Sequence, residues 1–564
     1  MFKGKIINTS SYATPNWTPE ERPMLPGSAA TLKHSAPVRA SYFLIGLLLG
    51  ITGGLGNALV SANLSSIQGS LGLTPVEGTW LVAAYLMVNI SSNLVLFKFR
   101  QQYGLRLFAE IGLSLYAGVC ILHLFVEGFA SALFVRAISG FAAGTITAMS
   151  TMYVLQAFPK VRIGQALVIA LGISQLATPL AWLLSPTLID LGESRALYLF
   201  EAGLALCCLA AVVVLKLPHG QRIKTFEALD FLTFALLAPA LALVVAVLAQ
   251  GRAQWWSAQP WIAWALIAAL LLSLLAVLVE WNRPNPLLQI RWMGTLPTIR
   301  FVIGAMGMRF LLTEQTYGAT GFLRTLGMGT DQLVPLYAVM LAGLLVGIAA
   351  SALTFNQKTV IPQILLSIVL IAAGSLIDWN ATNLTRPHDM FLSQFLISAA
   401  AAMFMGPLLL AGIMPALKQG THYIISFVVL FSISQSIGGL AGPAILGTFQ
   451  QFREHEYSAA INAGVDPTQP LVAQRLQMQG QVYAGVVGDS VLRQAQGTAQ
   501  LAQLATREAN VRAFNDIFLL NGIMALVFLS WSVFHVVRLA LAARKVPVSS
   551  SPSTSGPDQS IDAS

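Results

Sequence analysis

The sequence predicts an all-α polytopic membrane protein of about fourteen spanning helices, built as two six-helix halves with two helices inserted between them. Three observations carry this expectation. Apolar runs of about 20 residues, each long enough to cross a bilayer, recur along nearly the whole chain. Hydrophobic residues fill 56% of the 564 positions and charged residues 10%, against about 25% charged in soluble domains. The basic residues gather in alternate loops, as short loops on the cytoplasmic side of a membrane do.

Residues 1–39 are polar and carry Lys3, Lys5, Arg22, Lys33 and Arg39. No short apolar core with a small-residue cleavage site follows, so the first spanning helix is expected to serve as the targeting signal. Six spans are expected near 40–64, 77–97, 107–125, 129–151, 162–185 and 196–216, forming an N-terminal half over 40–216. Two inserted spans, near 228–250 and 260–280, occupy a linking region over 217–297. Six more, near 298–323, 333–354, 361–378, 391–413, 421–446 and 513–540, make a C-terminal half over 298–540.

Lys98, Arg100 and Arg106 share one loop, as do Lys160 with Arg162, and Lys216 with Arg222 and Lys224. Arg283, Arg291 and Arg300, then Lys358, Lys418, and Arg544 with Lys545, continue the alternation. An even number of spans then places both termini in the cytoplasm. The net charge of +9 reports topology and gives no sign of nucleic-acid binding. Cys120, Cys207 and Cys208 all lie in apolar runs and read as packing residues.

One connection differs. Residues 447–512 are polar, glutamine-rich and fall outside by the alternation. From Val491 a weak helical period runs through Leu492, Ala495, Ala499 and Leu504, so helices standing off the membrane are expected, the last entering span fourteen. The tail 541–564 is expected to be cytoplasmic and disordered, being low in complexity from 546.

The stretch Ser131–Pro186 shows how the chain is organised. Arg136 stands inside an apolar run, where a charge costs roughly 2.5–3.5 kcal/mol even on the lenient insertion scale, so it faces protein or a watery cavity. Gly140, Ala143, Gly144 and Thr147 share its face and let a neighbouring helix approach closely. The pair Ile138-Ser139 and Ile173-Ser174 recurs as Ile397-Ser398 and Ile433-Ser434, each inside a helix–basic link–helix unit. Two such units of one orientation suit a transporter built of parallel repeats.

On these residues the chain resembles the major facilitator superfamily, and within it the fourteen-helix drug:proton antiporters of the EmrB/QacA type. Trp80 and Tyr85 match the family's W-x4-Y in helix two. Arg136, Gly140 and Gly144 match R-x3-G-x3-G in helix four. The run Ser436 to Pro443, with Gly438, Gly439, Gly442 and Pro443, resembles the Gly-Pro antiporter signature, of which helix five keeps Gly172 and Pro179. Phe452 to Tyr457 and Phe514 to Phe518 resemble the EmrB branch. Two departures stand out. The family's helix-one aspartate is replaced within Leu55-Gly56-Asn57-Ala58. In the loop after helix two, which in the family helps lock one gating state, Gly104 and Arg106 remain but Gln101 stands where an acid is usual.

With Gly56 in place of the usual acid, other groups are candidates for proton coupling. Glu201 in helix six and Glu314 in helix nine are acids in apolar surroundings, with Arg136 and Arg309 as possible electrostatic partners. Asn57, Ser61, Trp80, Tyr85, Asn89, Asn93, Gln175 and Gln435 are candidates for lining a substrate cavity, or for polar contacts between helices. Glu110 would snorkel or pair with a loop arginine, and Asp516 would be interfacial. No histidine set has metal-ligand spacing and no phosphate-cradling Gly-x4-Gly-Lys motif occurs, so neither a metal nor another cofactor, nor catalysis, is expected.

The resemblance implies a proton-coupled multidrug-type exporter of amphipathic or aromatic small molecules in the bacterial inner membrane, working by alternating access. A proton-coupled importer of a small organic anion is the alternative. The resemblance to the EmrB branch, together with the length of the outer loop, implies docking of a periplasmic membrane-fusion adaptor that leads to an outer-membrane channel.

Overall fold

The computed structural model describes residues 17–18, 21–23, 27–188, 195–465 and 468–544. Among these, fourteen helices are long and apolar enough to cross a membrane. The first six are α1 Ala36–Ala62, α2 Pro75–Tyr103, α3 Leu105–Phe125, α4 Phe129–Ala157, α5 Lys160–Leu188 and α6 Arg195–Val214. Then come α7 Ala228–Gln250 and α8 Pro260–Trp281. The last six are α9 Leu296–Thr325, α10 Thr330–Leu353, α11 Val360–Asp378, α12 Pro387–Gln419, α13 Tyr423–Ala463 and α14 Ser490–Arg538. Of the tail expected to be disordered over 541–564, residues 541–544 continue the last helix, and the rest lies, with most of the N-terminal tail, outside the described residues.

Local chemistry sets several boundaries. Thr74 and Glu77 close a capping box at the start of α2, the Thr74 backbone N–H donating to Glu77 at 2.8 Å, with Pro75 as the first helical residue. Gly104 ends α2 with φ +90°, a conformation that favours glycine. α5 breaks at Leu176 into Ile163–Gln175 and Ala177–Leu188, just before Pro179, whose ring cannot accept a regular helix behind it.

The helices pack by a repeated plan. In the N-terminal half α2 packs on α4, α3 on α6 and α1 on α5. In the C-terminal half the pairs are α10 with α12, α11 with α14 and α9 with α13, each number raised by eight. The halves are not identical: α1 lies closely along α4, whereas α9 barely meets α12, and α13 packs on α14 far more than α5 does on α6. For α1 and α4 the closeness has a local cause, glycine. Gly46, Gly50 and Gly53 of α1 face Val154, Ser150 and Ile146 of α4, and a Cβ at any of them would fall within 3.0 Å of those residues. The halves meet where α5 packs on α10 and α12, and where α2 packs on α13. α7 lies against α2, and α8 against α7.

The two faces of the bundle differ. On the face that carries the chain's N-terminal segment, called here the terminal face, Gly27 and Ala30 donate backbone hydrogen bonds to Gln221 and His219. The opposite, distal face carries the long polar connection. There α13 continues to Ala463 and α14 begins at Ser490, so both reach well past the expected ends at 446 and 513. No glycine or proline interrupts the chain from Thr448 until Gly464, which ends the first helix. A separate helix, Pro470–Gln481, packs on the outer part of α14. Gly480 and Gly497 meet there almost backbone to backbone. Arg453 ties the extension of α13 to α14 through Asp516 at 2.6 Å.

Gly140 of α4 tests this packing. A Cβ there would lie 2.1 Å from the Tyr85 carbonyl oxygen, so Gly140→Ala must push α2 from α4. Overpacking of this kind costs about 1–3 kcal/mol, and a fall in melting temperature of the purified protein is expected. Gly118→Ala, with nothing within 4 Å, should leave that temperature unchanged.

Candidate transport site

Arg136 is 2% exposed on α4. Its guanidinium donates to the Gly56 carbonyl at 2.9 Å, to Asn57 Oδ1 at 2.7 Å and to the Leu81 carbonyl at 3.3 Å. It lies over the Tyr85 ring, 4.6 Å from the centroid. All of these partners are neutral. Among the described residues no carboxylate comes within ion-pairing distance of it.

The nearby acid is Glu201, brought in by α6 and 2% exposed. Its Oε1 accepts from the Tyr116 hydroxyl at 3.3 Å and from Cys120 Sγ at 3.6 Å, while Oε2 has no hydrogen-bond partner. Gly56 separates the two charges. Its carbonyl accepts from Arg136, and a Cβ on it would lie 2.9 Å from Glu201 Oε1 and 2.5 Å from the Tyr116 hydroxyl. The missing side chain on α1 is therefore what leaves room for a carboxylate from α6. Further along, His123 stacks on Tyr198 with ring centroids 5.1 Å apart.

A cavity of about 50 Å³ lies between the halves, lined by Gln175, Thr178 and Pro179 of α5, Arg309, Leu312, Gln315 and Thr316 of α9, and residues of α10 and α12. Drug-sized sites span about 300–1,000 Å³, so the cavity is closed down. Near the distal face Trp182 stacks on Tyr337 at 4.7 Å, with Arg324 over the indole. Near the terminal face Gly164 meets Phe355 and Gly406 meets Val168, pressing α5 on α10 and α12.

Of the residues expected to line the cavity, Gln175 does so, and Arg309 and Pro179 join it. The others lie elsewhere. Asn57 holds Arg136, and Asn89 donates to the Gly140 carbonyl at 2.9 Å. Asn93 bridges the halves to Ser432 at 3.1 Å, and Gln435 donates to the Ala305 carbonyl at 3.3 Å. Trp80 packs on Trp261 of the inserted α8, Tyr85 lies under Arg136, and Ser61 is exposed near the end of α1. Polar contacts between helices account for most of this set. The packing glycines are close-fitting: Gly144 meets Leu96, Gly442 meets Thr313, and Gly438 and Gly439 make the bed for Arg309. Pro443 sits within the unbroken α13.

Arg309 and Glu314, five residues apart on α9, form no ion pair. Five residues along a helix turn them to different faces, and Arg309 lies against α13. Glu314, fully buried, begins a π-helical turn, Glu314–Ala319, and accepts from Gln394 Nε2 at 3.3 Å. The same nitrogen donates to Asp378 of α11 at 3.0 Å. Glu110 pairs with Lys216 at 3.0 Å on the surface, not with an arginine.

On the terminal face the retained Gly104 and Arg106 stand beside the 217–222 loop, Arg106 donating to the Leu217 carbonyl at 3.0 Å. A charge network has formed a few residues away. Lys98 of α2 meets Asp230 of α7 at 2.7 Å, and Arg283 beyond α8 meets Asp230 at 2.9 Å and Glu227 at 3.0 Å. Arg283 also pairs with Glu280, which accepts from Thr233 and, at 2.6 Å, from the Leu287 backbone. Burial alone would lower the Arg283 pKa, but its bonds to Glu227, Asp230 and Glu280 outweigh that and hold it above the usual arginine value. Two residues on, the Gln289 N–H reaches Ser426 of α13 at 2.9 Å, so the network runs from α2 through the inserted helices to the other half.

Fourteen spans in two repeated halves around a central cavity define the class of a secondary transporter. The chain belongs to the Major Facilitator Superfamily, whose family description it matches over residues 46–461. It is similar to the multidrug export protein EmrB of Haemophilus influenzae, 22% identical over 499 residues that span 85% of this chain and 92% of that one. Among solved structures it is similar to the human organic anion transporter MFSD10 (TETRAN), at 13% identity and a TM-score of 0.51, over 87% of this chain and all of that one. The proton:xylose symporter XylE bound to 6-bromo-6-deoxy-D-glucose matches at 15% identity and a TM-score of 0.50, over 88% of this chain and 97% of the other. These structures share the fold.

Asp230→Asn should show what the network contributes. Removing one partner from a buried ion pair costs on the order of 3–5 kcal/mol, so a clear fall in melting temperature is expected. Glu110→Gln breaks only the exposed pair with Lys216, worth about 0–1 kcal/mol, and should leave the melting temperature nearly unmoved.

Proposed function

We propose that this transporter is a proton-coupled exporter of amphipathic or aromatic small molecules in a bacterial inner membrane, with its terminal face in the cytoplasm. The observation that carries the coupling is Glu201, a buried carboxyl facing Arg136 across Gly56 with one oxygen left unpaired. An ionised Glu201 attracts the guanidinium and draws α1, α4 and α6 together; a proton on Glu201 removes that attraction. Substrate and proton thus favour different openings of the same closed cavity. The walls suit an amphipathic ligand: Gln175, Thr178, Gln315 and Thr316 offer hydrogen bonds, and Leu312, Met340 and Leu344 offer apolar surface. The likeness to a multidrug export protein supports the direction of transport.

Arg309 favours a second reading. Among the described residues it has no ion-pair partner where it lines the cavity, which suits the binding of a small organic anion, and import of such an anion with protons is the alternative. Proteoliposomes loaded over a panel of cationic, neutral and anionic compounds separate the two. Accumulation of cations and neutral aromatics driven by an opposing proton gradient supports export; accumulation of anions alone, with protons, supports the symporter. In either case Glu201→Gln should abolish gradient-driven transport while leaving the protein folded and purified in normal yield. Full activity in that variant removes Glu201 from the mechanism.

The helices over 447–512 stand off the distal face, with Leu471, Met478, Val486 and Val491 exposed. We propose that they dock a periplasmic membrane-fusion adaptor leading to an outer-membrane channel. Deleting 455–505 should abolish adaptor crosslinking and whole-cell efflux yet spare transport in proteoliposomes. Unchanged crosslinking would exclude this role.

A further inference from the structure

We propose that Glu314 and Asp378, bridged by Gln394, form a second proton-binding site in the C-terminal half, loaded and emptied in each transport cycle. The inference rests on the proton-coupled reading above and adds a site apart from Glu201, whose own protonation stays obligatory for the cycle. Glu314 and Gln394 are fully buried and Asp378 is 5% exposed, so three elements bring two carboxyl groups into a dry interior. Both acids accept from the single nitrogen Gln394 Nε2, at 3.3 and 3.0 Å. Among the described residues Glu314 Oε2 and Gln394 Oε1 have no hydrogen-bond partner. The cluster is rich in acceptors and short of donors. A proton on Glu314 removes one buried charge, relieves the repulsion from Asp378, and supplies the missing donor.

No cation on the neighbouring elements does this work. Arg309, on the same helix, lies on Gly438 and Gly439 of α13. α14 offers Phe518 and Asn521, the latter bonded to the Leu311 carbonyl and to Ser375, while its Asp516 is held by Arg453. α12 offers Gln394, Ser398 and the buried Ser393, whose hydroxyl serves Asp378 as well as the Met390 carbonyl but leaves Glu314 Oε2 without a donor, and Tyr337 of α10 is bonded to Thr320. Among the described residues no lysine, arginine or histidine pairs with Glu314 or Asp378.

The pair also has a route in each direction. Asp378 is the last residue of α11, on the distal face, beside exposed Trp379. On the other side Gln315, which lines the cavity, donates to the Gln394 carbonyl at 3.3 Å and to Ser398 at 2.6 Å, so the acids stand one side chain behind the cavity wall. The π-helical turn that starts at Glu314 puts its backbone in a register that a small helix rotation can change.

The test is the number of protons moved per substrate in proteoliposomes of the full chain, with ethidium as the probe and a trapped pH dye. Glu314→Gln and Asp378→Asn should each lower the wild-type ratio by one and still transport through Glu201. A wild-type ratio in both variants overturns the proposal, as does a requirement for sodium when choline replaces it, since a metal cation would then fill the acceptors. A second readout covers variants that fail to fold. In the Glu201→Gln protein an infrared band of a protonated carboxyl should be present at neutral pH and change when ethidium is added. A band that ignores ethidium, or no band, also overturns the site. If wild type moves no protons with ethidium, the coupled reading itself fails, and the infrared result still decides whether this acid pair holds a proton.

Discussion

A buried arginine held only by neutral acceptors sets the terms for the N-terminal half. Leaving a charge unpaired in the interior costs several kcal/mol, and Arg136 offsets that with three hydrogen bonds and an aromatic face. Each of those partners imposes something on the sequence. The carbonyl of Gly56 must be reachable, Asn57 must turn inward, and Gly140 must let α2 close on α4 so that Leu81 and Tyr85 stand beside the guanidinium. A carboxylate in direct contact would satisfy Arg136 permanently. Held one residue away across Gly56, Glu201 can influence it without locking it.

The count and order of the spans were legible because hydropathy and basic-loop alternation act locally along the chain. The outer helices were legible too, although the ends of α13 and α14 were set too short where polar sequence stays helical above the membrane. What escaped was which faces meet. These helices are covered on several sides by protein or lipid, and a helix apolar all round gives no stripe from which to assign its rotation. Glu201 stood out as an acid, yet nothing in the sequence placed it behind Gly56. Asp378 closes the span expected over 361–378 and Gln394 falls early in that over 391–413, and no local pattern links them; α9, α11 and α12 bring them together. Most of the asparagines expected around a cavity proved to join helices instead, since the same amide serves either purpose and only the neighbour decides.

The terminal face shows one chemistry moved between elements. The last turn of α2, expected as a loop, has Gln101 where an acid is usual, but Lys98, three residues earlier, is paired with Asp230 of an inserted helix. Through Arg283, Glu280 and the 287–289 backbone, that pair continues to Ser426 of α13. Helices α7 and α8 are therefore more than a spacer between repeats: they carry the charges that join α2 to the opposite half.

The two halves share a packing plan but handle charge differently. The N-terminal half holds one cation and one anion apart, so adding a proton leaves a net positive site. The C-terminal half holds two acids with one amide between them, so a proton there reduces a negative site. Between them Arg309 faces the cavity from a bed of two glycines. Low dielectric makes each of these charges felt over longer distances than in water. A repeated scaffold with unlike charges in its halves has no reason to open equally in both directions. On the proton-coupled proposal its bias follows from which acids are charged, and the break at Leu176 in α5 and the π turn in α9 are irregular points in the walls of the cavity.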